Sequence, residues 1–319
     1  MKISRSFVST VATASSFVVL PVMTAYAVDL NFGSGRQGGS QYPVTVAMSQ
    51  VLEKVPGIGR VSLQPGGSIG NIIRVDTGKS DIAISMSISL RDGRAGNAPF
   101  KKKTSNAVQL MTLHAFNVMA LVPADSPIKS FRDFAGKKIN FAPKGYSITH
   151  VGFRILEKLG IKGKVKVGYL RIGGAIQAFK DGHIDGLLYA PSNRYGPIIN
   201  LAQTRTIRAV QLDKKIMDDM VNENPSFFKT TWPKSKGIYK RLVNKVTNIA
   251  YPNIILANKK RISNSQAYAM VKAIAENFDK VRVGDPSLND FQPKDMARNV
   301  GSPFHAGAVR YYKERGWVK

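Results

Sequence analysis

The stretch from Asn31 to Pro43 holds the spacing Gly33-x-Gly35-x-x-Gly38. Placed between a strand and a helix, such glycines let the backbone close around a pyrophosphate, as in dinucleotide-binding folds. That chemistry also needs an acidic side chain at the end of the second strand, to hold the ribose hydroxyls. Here the second apolar run ends in Gln64-Pro65, and Glu53 falls inside the first helical segment. The glycines therefore read as a loop that feeds a helix N-terminus, where unpaired N–H groups and the helix dipole suit an anion.

Other chemistries find little purchase. The 319 residues include no cysteine, so thiol nucleophiles, thiolate zinc sites and disulfides are excluded. Four histidines are scattered without the His-x-x-x-His spacing of a metal site, and none has an evident Ser and Asp constellation around it. No pair of acids stands out for glycoside hydrolysis. The expectation is a binding protein without cofactor, metal or catalytic residues; a secreted hydrolase is the remote alternative. The formal charge of +27 is spread along the chain, with Lys101-Lys102-Lys103 its densest run. Nucleic-acid binders concentrate charge and interleave aromatics, so the spread reads as solvated surface rather than a nucleic-acid site.

The start of the chain carries Lys2 and Arg5, an apolar stretch to Val22, and Ala25-Tyr26-Ala27. This is the layout of a secretory signal peptide, so residues 1–27 are expected to be removed and the remainder exported to the periplasm.

The elements that position the glycine loop alternate between helix and strand. A short strand reaches Phe32. From Gln41, the residues Val44, Ala47, Met48, Val51, Leu52 and Val55 recur at helical spacing, with Ser40 as N-cap and Pro56-Gly57 as the stop. A strand over Val61–Gln64 leads through Gly66-Gly67-Ser68 into a helix ending at Gly78, and Asp81–Ser85 is a third strand. The grammar repeats at Gly173-Gly174-Ala175-Ile176, with Gly182, Asp185 and a strand to Tyr189 following. Two such copies suggest two α/β lobes joined by strands that cross near Val118 and Asn248. The expected fold class is α/β, a two-lobe periplasmic binding protein of Venus-flytrap type with hinge-connected domains. Lobe I comprises 28–117 plus 249–319, and lobe II 118–248.

Several of these motifs together resemble the TAXI-type solute-binding proteins of TRAP (tripartite ATP-independent periplasmic) transporters. They are the run Ser34–Pro43, the turn Gly66-Gly67-Ser68-Ile69-Gly70-Asn71, Gly78 to Asp81, the segments Ser126–Ile139 and Asp181–Ala190, and His305-x-Gly307-Ala308-x-Arg310-Tyr311-Tyr312. The resemblance implies a receptor that captures a small organic anion or amino acid, such as 2-oxoglutarate or glutamate, and delivers it to membrane subunits. The receptor of an ATP-driven importer has the same coarse pattern. Two loops depart from the family: Met86-Ser87-Ile88 stands where Gln-Ser-Asp is common, and Gly145-Tyr146-Ser147-Ile148-Thr149 where Gly-Ser-Gly-Thr is. The absence of that Asp favours an acid without an amino group, a 2-oxo or hydroxy acid or a dicarboxylate.

Candidate ligand residues follow from the loops. Gly38, Gly39 and Ser40, Ser68, and Gly145 and Ser147 would present helix ends to one cleft, with Ser87 and Thr149 on the two altered loops. Each of Ser40, Ser68 and Ser147 has the alternative of a simple N-cap. Tyr42 and Tyr189 either wall the ligand or pack as half-buried tyrosines. Asn71 and Asn193 are amide contacts or turn residues, and Arg36 and Arg194 are carboxylate forks or surface charges. His305 is read as capping or packing the last helix rather than touching the ligand.

Overall fold

The computed structural model describes residues 27–233 and 237–319; the expected signal peptide, but for Ala27, lies outside the described residues. The chain opens with β1 (Val28–Ser34), α1 (Gln41–Leu52), β2 (Ile58–Pro65), α2 (Ser68–Asp76), β3 (Ile82–Met86) and α3 (Ser87–Ala95). Two strands meeting at Val118 follow, β4 (Ala107–Asn117) and β5 (Met119–Pro123). The middle of the chain holds β6 (Lys138–Asn140), α4 (Ser147–Lys158), β7 (Lys166–Gly168), α5 (Ile172–Lys180), β8 (Gly186–Tyr189), α6 (Gly196–Thr204), β9 (Ile207–Val210) and α7 (Lys214–Glu223). Then come β10 (Phe228–Trp232), β11 (Val246–Asn258), α8 (Asn264–Glu276), α9 (Phe278–Arg282) and α10 (Ala306–Glu314).

These strands form two sheets. The first runs β10-β11-β3-β1-β2, with β4 also paired to β11; the second runs β7-β6-β8-β5-β9. β1 pairs in parallel with β2 and β3, as helical crossovers require, whereas β11 returns antiparallel to both β3 and β4. β10, inside the span read as lobe II, is hydrogen-bonded into the first sheet through Phe228–Trp232 against Val246–Ala250.

The chain passes from the first sheet to the second at Val118, and it first re-enters the first sheet between β9 and β10, before Asn248. The Val118 amide donates to the Ile249 carbonyl at 2.8 Å, and Asn248 Nδ2 donates to the Val118 carbonyl at 3.2 Å. The Asn248 side chain, 1% exposed, also accepts from the Leu212 amide. One buried amide thus ties the crossing strand to β5 and to the chain leaving β9.

Each sheet has its own packed layer. α1, α8 and α10 cover the first with Val44, Met48, Ile274 and Tyr312; α5 and α6 cover one face of the second with Phe179, Ile198 and Leu201. A third cluster joins the halves: Met86, Ile88, Phe116 and Tyr251 from the first sheet's elements pack with Ile148, Leu156, Leu188 and Met217. The helix α3 does not appear in the sequence reading, where Met86-Ser87-Ile88 is a ligand loop. It is nine residues long, contains Gly93 and stops at left-handed Gly96 (φ 76°), so its helical signal is weak.

Candidate functional site

The glycine loop has a steric logic that is independent of any nucleotide. A Cβ on Gly33 would lie 2.8 Å from that of Ala83, and one on Gly66 would lie 2.3 Å from Asn71 Oδ1. These gaps admit the Asn71 side chain, 1% exposed, whose Nδ2 donates to the carbonyls of Ser34 and Ile84 at 3.0 and 2.8 Å. Asn71 therefore pins the ends of β1 and β3, a positioning role in place of the ligand contact considered above. Gly38 adopts φ 78°, which lets the loop reverse into α1.

The loop borders a cavity of about 150 Å³ between the two sheets. On the first-sheet side it is lined by Arg36, Gly38, Gly39, Ser40, Gly67 and Ser68, with Gln37, Gln41, Gly66 and Met86 completing that wall. The opposite wall carries Tyr146, Ser147, Ile148, Arg171, Tyr189 and Tyr195, with Pro143, Ile172 and Ala190, while Phe116 and Tyr251 reach in from the crossing strands. Among the described residues no Asp or Glu lines it.

Four helices start at this cavity: α1 at Gln41, α2 at Ser68, α4 at Ser147 and α5 at Ile172. None has an acidic residue in its first turn, so their positive ends are uncompensated by the chain itself. None of the three serines caps its helix with its side chain. Ser40 is an N-cap in helical conformation without a side-chain cap bond, while the N-caps of α2 and α4 are Gly67 and Tyr146. The Ser147 hydroxyl instead bonds that of Ser89, 2.8 Å away on α3.

Arg36 lies half-buried where the walls meet. Its guanidinium stacks over the Tyr146 ring at 5.5 Å, and its Nη2 lies 3.8 Å from where a Cβ on Gly67 would stand. Among the described residues it has no carboxylate partner within 4.0 Å. Across the cavity, Tyr189 and Tyr195 stack with centroids 5.9 Å apart. Burial pushes the phenols of Tyr189, Tyr195 and Tyr251 above their ordinary pKa, so all three stay neutral at physiological pH.

Other expected contacts lie elsewhere. Tyr42 and Arg194 line a neighbouring groove of about 620 Å³ that shares Gly38, Gly39, Ser40 and Tyr195 with the cavity. Arg194 pairs with Asp290 at 3.3 Å, and its amide donates to Ser287 Oγ at 3.0 Å, so it joins the second-sheet half to the first. Asn193 faces a separate polar cavity beside β4 and β10, where its Oδ1 accepts from Asn117 Nδ2. Thr149 Oγ1 donates to the Ala142 carbonyl at 2.7 Å, inside its own loop. Ser87 is fully buried and does not line the cavity. Gly145 (φ 86°) lends the turn before α4 its shape, and its carbonyl lies 3.3 Å from a Cβ built on Gly67.

Arg171, Tyr195, Phe116 and Tyr251 are absent from the sequence reading, which names Tyr146 and Met86 only as members of the two altered loops and not as contacts. Arg171 precedes the Gly173-Gly174 echo, and that echo is the signal for it; Phe116 and Tyr251 sit in long apolar strands and carry none. The run Gly66-Gly67-Ser68-Ile69-Gly70 has the spacing of a nucleophile elbow, yet no hydrogen bond joins Ser68 Oγ to a histidine among the described residues. His305 caps α10: its Nδ1 accepts from the Gly307 amide at 3.2 Å, and its Nε2 donates to the Ile262 carbonyl at 2.9 Å.

A model of the NMT1-like family matches residues 32–316. Among solved structures, one reported for glutathione import via GshT and the cystine ABC importer TcyBC of Streptococcus mutans superposes with a TM-score of 0.52 at 14% identity, over 85% of this chain and 99% of that one. A putative L-cystine ABC transporter structure from Listeria monocytogenes gives 0.49 at 12% identity, over 85% and 98%. The periplasmic aliphatic sulphonate binding protein SsuA from Escherichia coli gives 0.45 at 17%, over 90% and 82%. The fold is the mixed α/β, two-sheet fold of substrate-binding proteins.

Proposed function

The chain belongs to the NMT1-like family, and from that premise we propose that it is an exported solute receptor for a small organic anion. The anion occupies the cavity between the sheets and is handed to a membrane importer. One observation carries this reading: Arg36, which among the described residues has no carboxylate partner, meets the uncompensated N-termini of α1, α2 and α4 at a cavity that no acid among those residues lines. A guanidinium and free N–H groups together solvate a carboxylate or sulfonate in place of water. Binding rather than turnover is the function, because the groups at the cavity stabilise a charge without offering a base or a nucleophile that is activated by one.

The halves built on the two sheets act as lobes hinged at Val118 and Asn248. Ligand contacts on both walls shift the population towards the closed form. Ser89–Ser147, Arg154–Asp92 at 3.6 Å and Arg194–Asp290 are the bonds that closure forms or strengthens.

The motifs of the chain support a TRAP-type importer of the TAXI class as the partner. The second reading, an ATP-driven importer, is supported by the ABC systems named for the structures of this fold. Mass spectrometry of small molecules released by denaturing natively purified protein tests the function: a stoichiometric organic anion is expected. Release of a cation or a neutral sugar would overturn the anionic reading, and affinity capture of the membrane subunits decides the importer.

A further inference from the structure

We propose that the ligand is a monoanion with an uncharged aromatic body, an arylcarboxylate or arylsulfonate, and not a dicarboxylate or an amino acid; this rests on the receptor reading above. The cavity is divided by chemistry. Arg36, the Gly67 turn and Ser68 gather at one end with the first-turn amides of α2 and, through Tyr146, the start of α4. Against these stands an apolar set, Met86, Phe116, Ile148, Ala190 and Tyr251, each buried in the core around the cavity, while Gln37, Ser40, Gln41 and Arg171 complete its polar lining. An α-ammonium group has no acidic partner there among the described residues, and a desolvated cation without one is disfavoured.

A second carboxylate meets the same obstacle. The other cation, Arg171, is solvent-exposed at the start of α5, whereas the deep wall offers only side chains that stay neutral. An aromatic ring, by contrast, satisfies that wall through its faces and edges. Tyr189 and Tyr195 already stack nearly parallel at 17°, and Phe116 and Tyr251 border the same space. Met86, Tyr146 and Ile148, from the loops that enter α3 and α4, all line the cavity.

Calorimetric titration of the ligand-stripped, refolded protein with benzoate, benzenesulfonate, hexanoate, 2-oxoglutarate and glutamate tests the proposal. Benzoate or benzenesulfonate is expected to bind at least about tenfold tighter than the other three. Met86→Gln, checked for folding by its melting temperature, is expected to erode that preference. Tighter binding of 2-oxoglutarate or glutamate, lost in Arg36→Ala, would overturn the aromatic assignment and leave the receptor reading intact. Hexanoate equal to benzoate would overturn it too. If no probe binds, the molecule released from native protein decides: an aromatic monoacid upholds the proposal and any other solute overturns it. If nothing is released either, the receptor reading fails with it.

Discussion

The half of the molecule that begins with the glycine loop faces the cavity with backbone and charge: Arg36, Gly38, Gly39, Gly67 and Ser68. The half built on the second sheet faces it with rings, Tyr146, Tyr189 and Tyr195, and with Ile148. Both present helix N-termini, so the difference lies in what stands before each helix. Glycine stands before α2, whereas Tyr146 stands before α4 and offers its face to Arg36 at 5.5 Å. The first half thus supplies the anion cradle and the second half the apolar wall.

The largest expected effect breaks the cradle. Hydrogen bonds to charged groups are worth about 1.5–3 kcal/mol, so Arg36→Ala should weaken binding of the retained anion roughly 10- to 100-fold by calorimetry. The loss should shrink at high salt, since the cradle acts by charge. Tyr189→Leu attacks the other wall. With aromatic pairing worth about 0.5–1.5 kcal/mol beyond area, affinity should fall about 2- to 10-fold, with the salt dependence of wild type. Equal salt dependence in the two variants would erase the distinction between the walls.

A smaller contrast sets serine against serine. Ser68→Ala removes a cavity hydroxyl from the cradle and should cost about 2- to 10-fold in affinity. Ser147 spends its hydroxyl on Ser89, so Ser147→Ala should affect the ligand less. Its readout is the interdomain bond: small-angle scattering of the ligand-free variant should show a larger radius of gyration than that of wild type.

The smallest effect is on stability with pH, and each half holds one group that reports it. Burial lowers the pKa of His305 in the first half and of His150 on α4 in the second; the bond to Ile262 opposes this at His305, and Asp92 opposes it at His150. A depressed histidine pKa means that the unfolded chain binds more protons just below its ordinary value of about 6.5. Stability should therefore be full above that pH and decline as the pH falls towards 5. At His305 the proton would enter on Nδ1 and displace the Gly307 amide from the cap of α10. Melting temperatures across this range should fall less steeply in His305→Gln; an unchanged slope would remove His305 from the account.

The first half was the more legible in sequence, for a physical reason. Its helices begin where glycine and serine interrupt apolar runs, and those interruptions also build the cradle, so local turn chemistry and site chemistry coincide at Arg36, Gly38 and Ser68. The helix α3 was hidden because Gly93 lowers its helical propensity and its first residues double as an altered loop. On the second side, the echo at Gly173-Gly174 marked α5, although the helix begins at Ile172, so Arg171 rather than the glycines reaches the cavity. Phe116 and Tyr251 were illegible for another reason: β4 and β11 are buried along nearly their whole length. Alternation therefore cannot mark which residue faces a cavity. Asn71 shows the converse. Its place in a ligand-loop motif is plain in sequence, but the space left by Gly33 and Gly66 commits its amide to the backbone.

The division of the cavity is tested most directly by a crystal structure of protein purified with its own ligand retained. The acidic head should lie within hydrogen-bond distance of the Arg36 guanidinium and the amides at Gly67 and Ser68, with the body against Ile148, Tyr189 and Tyr251. A head group turned towards Tyr251, or a ligand seated outside the space between the two sheets, would contradict it.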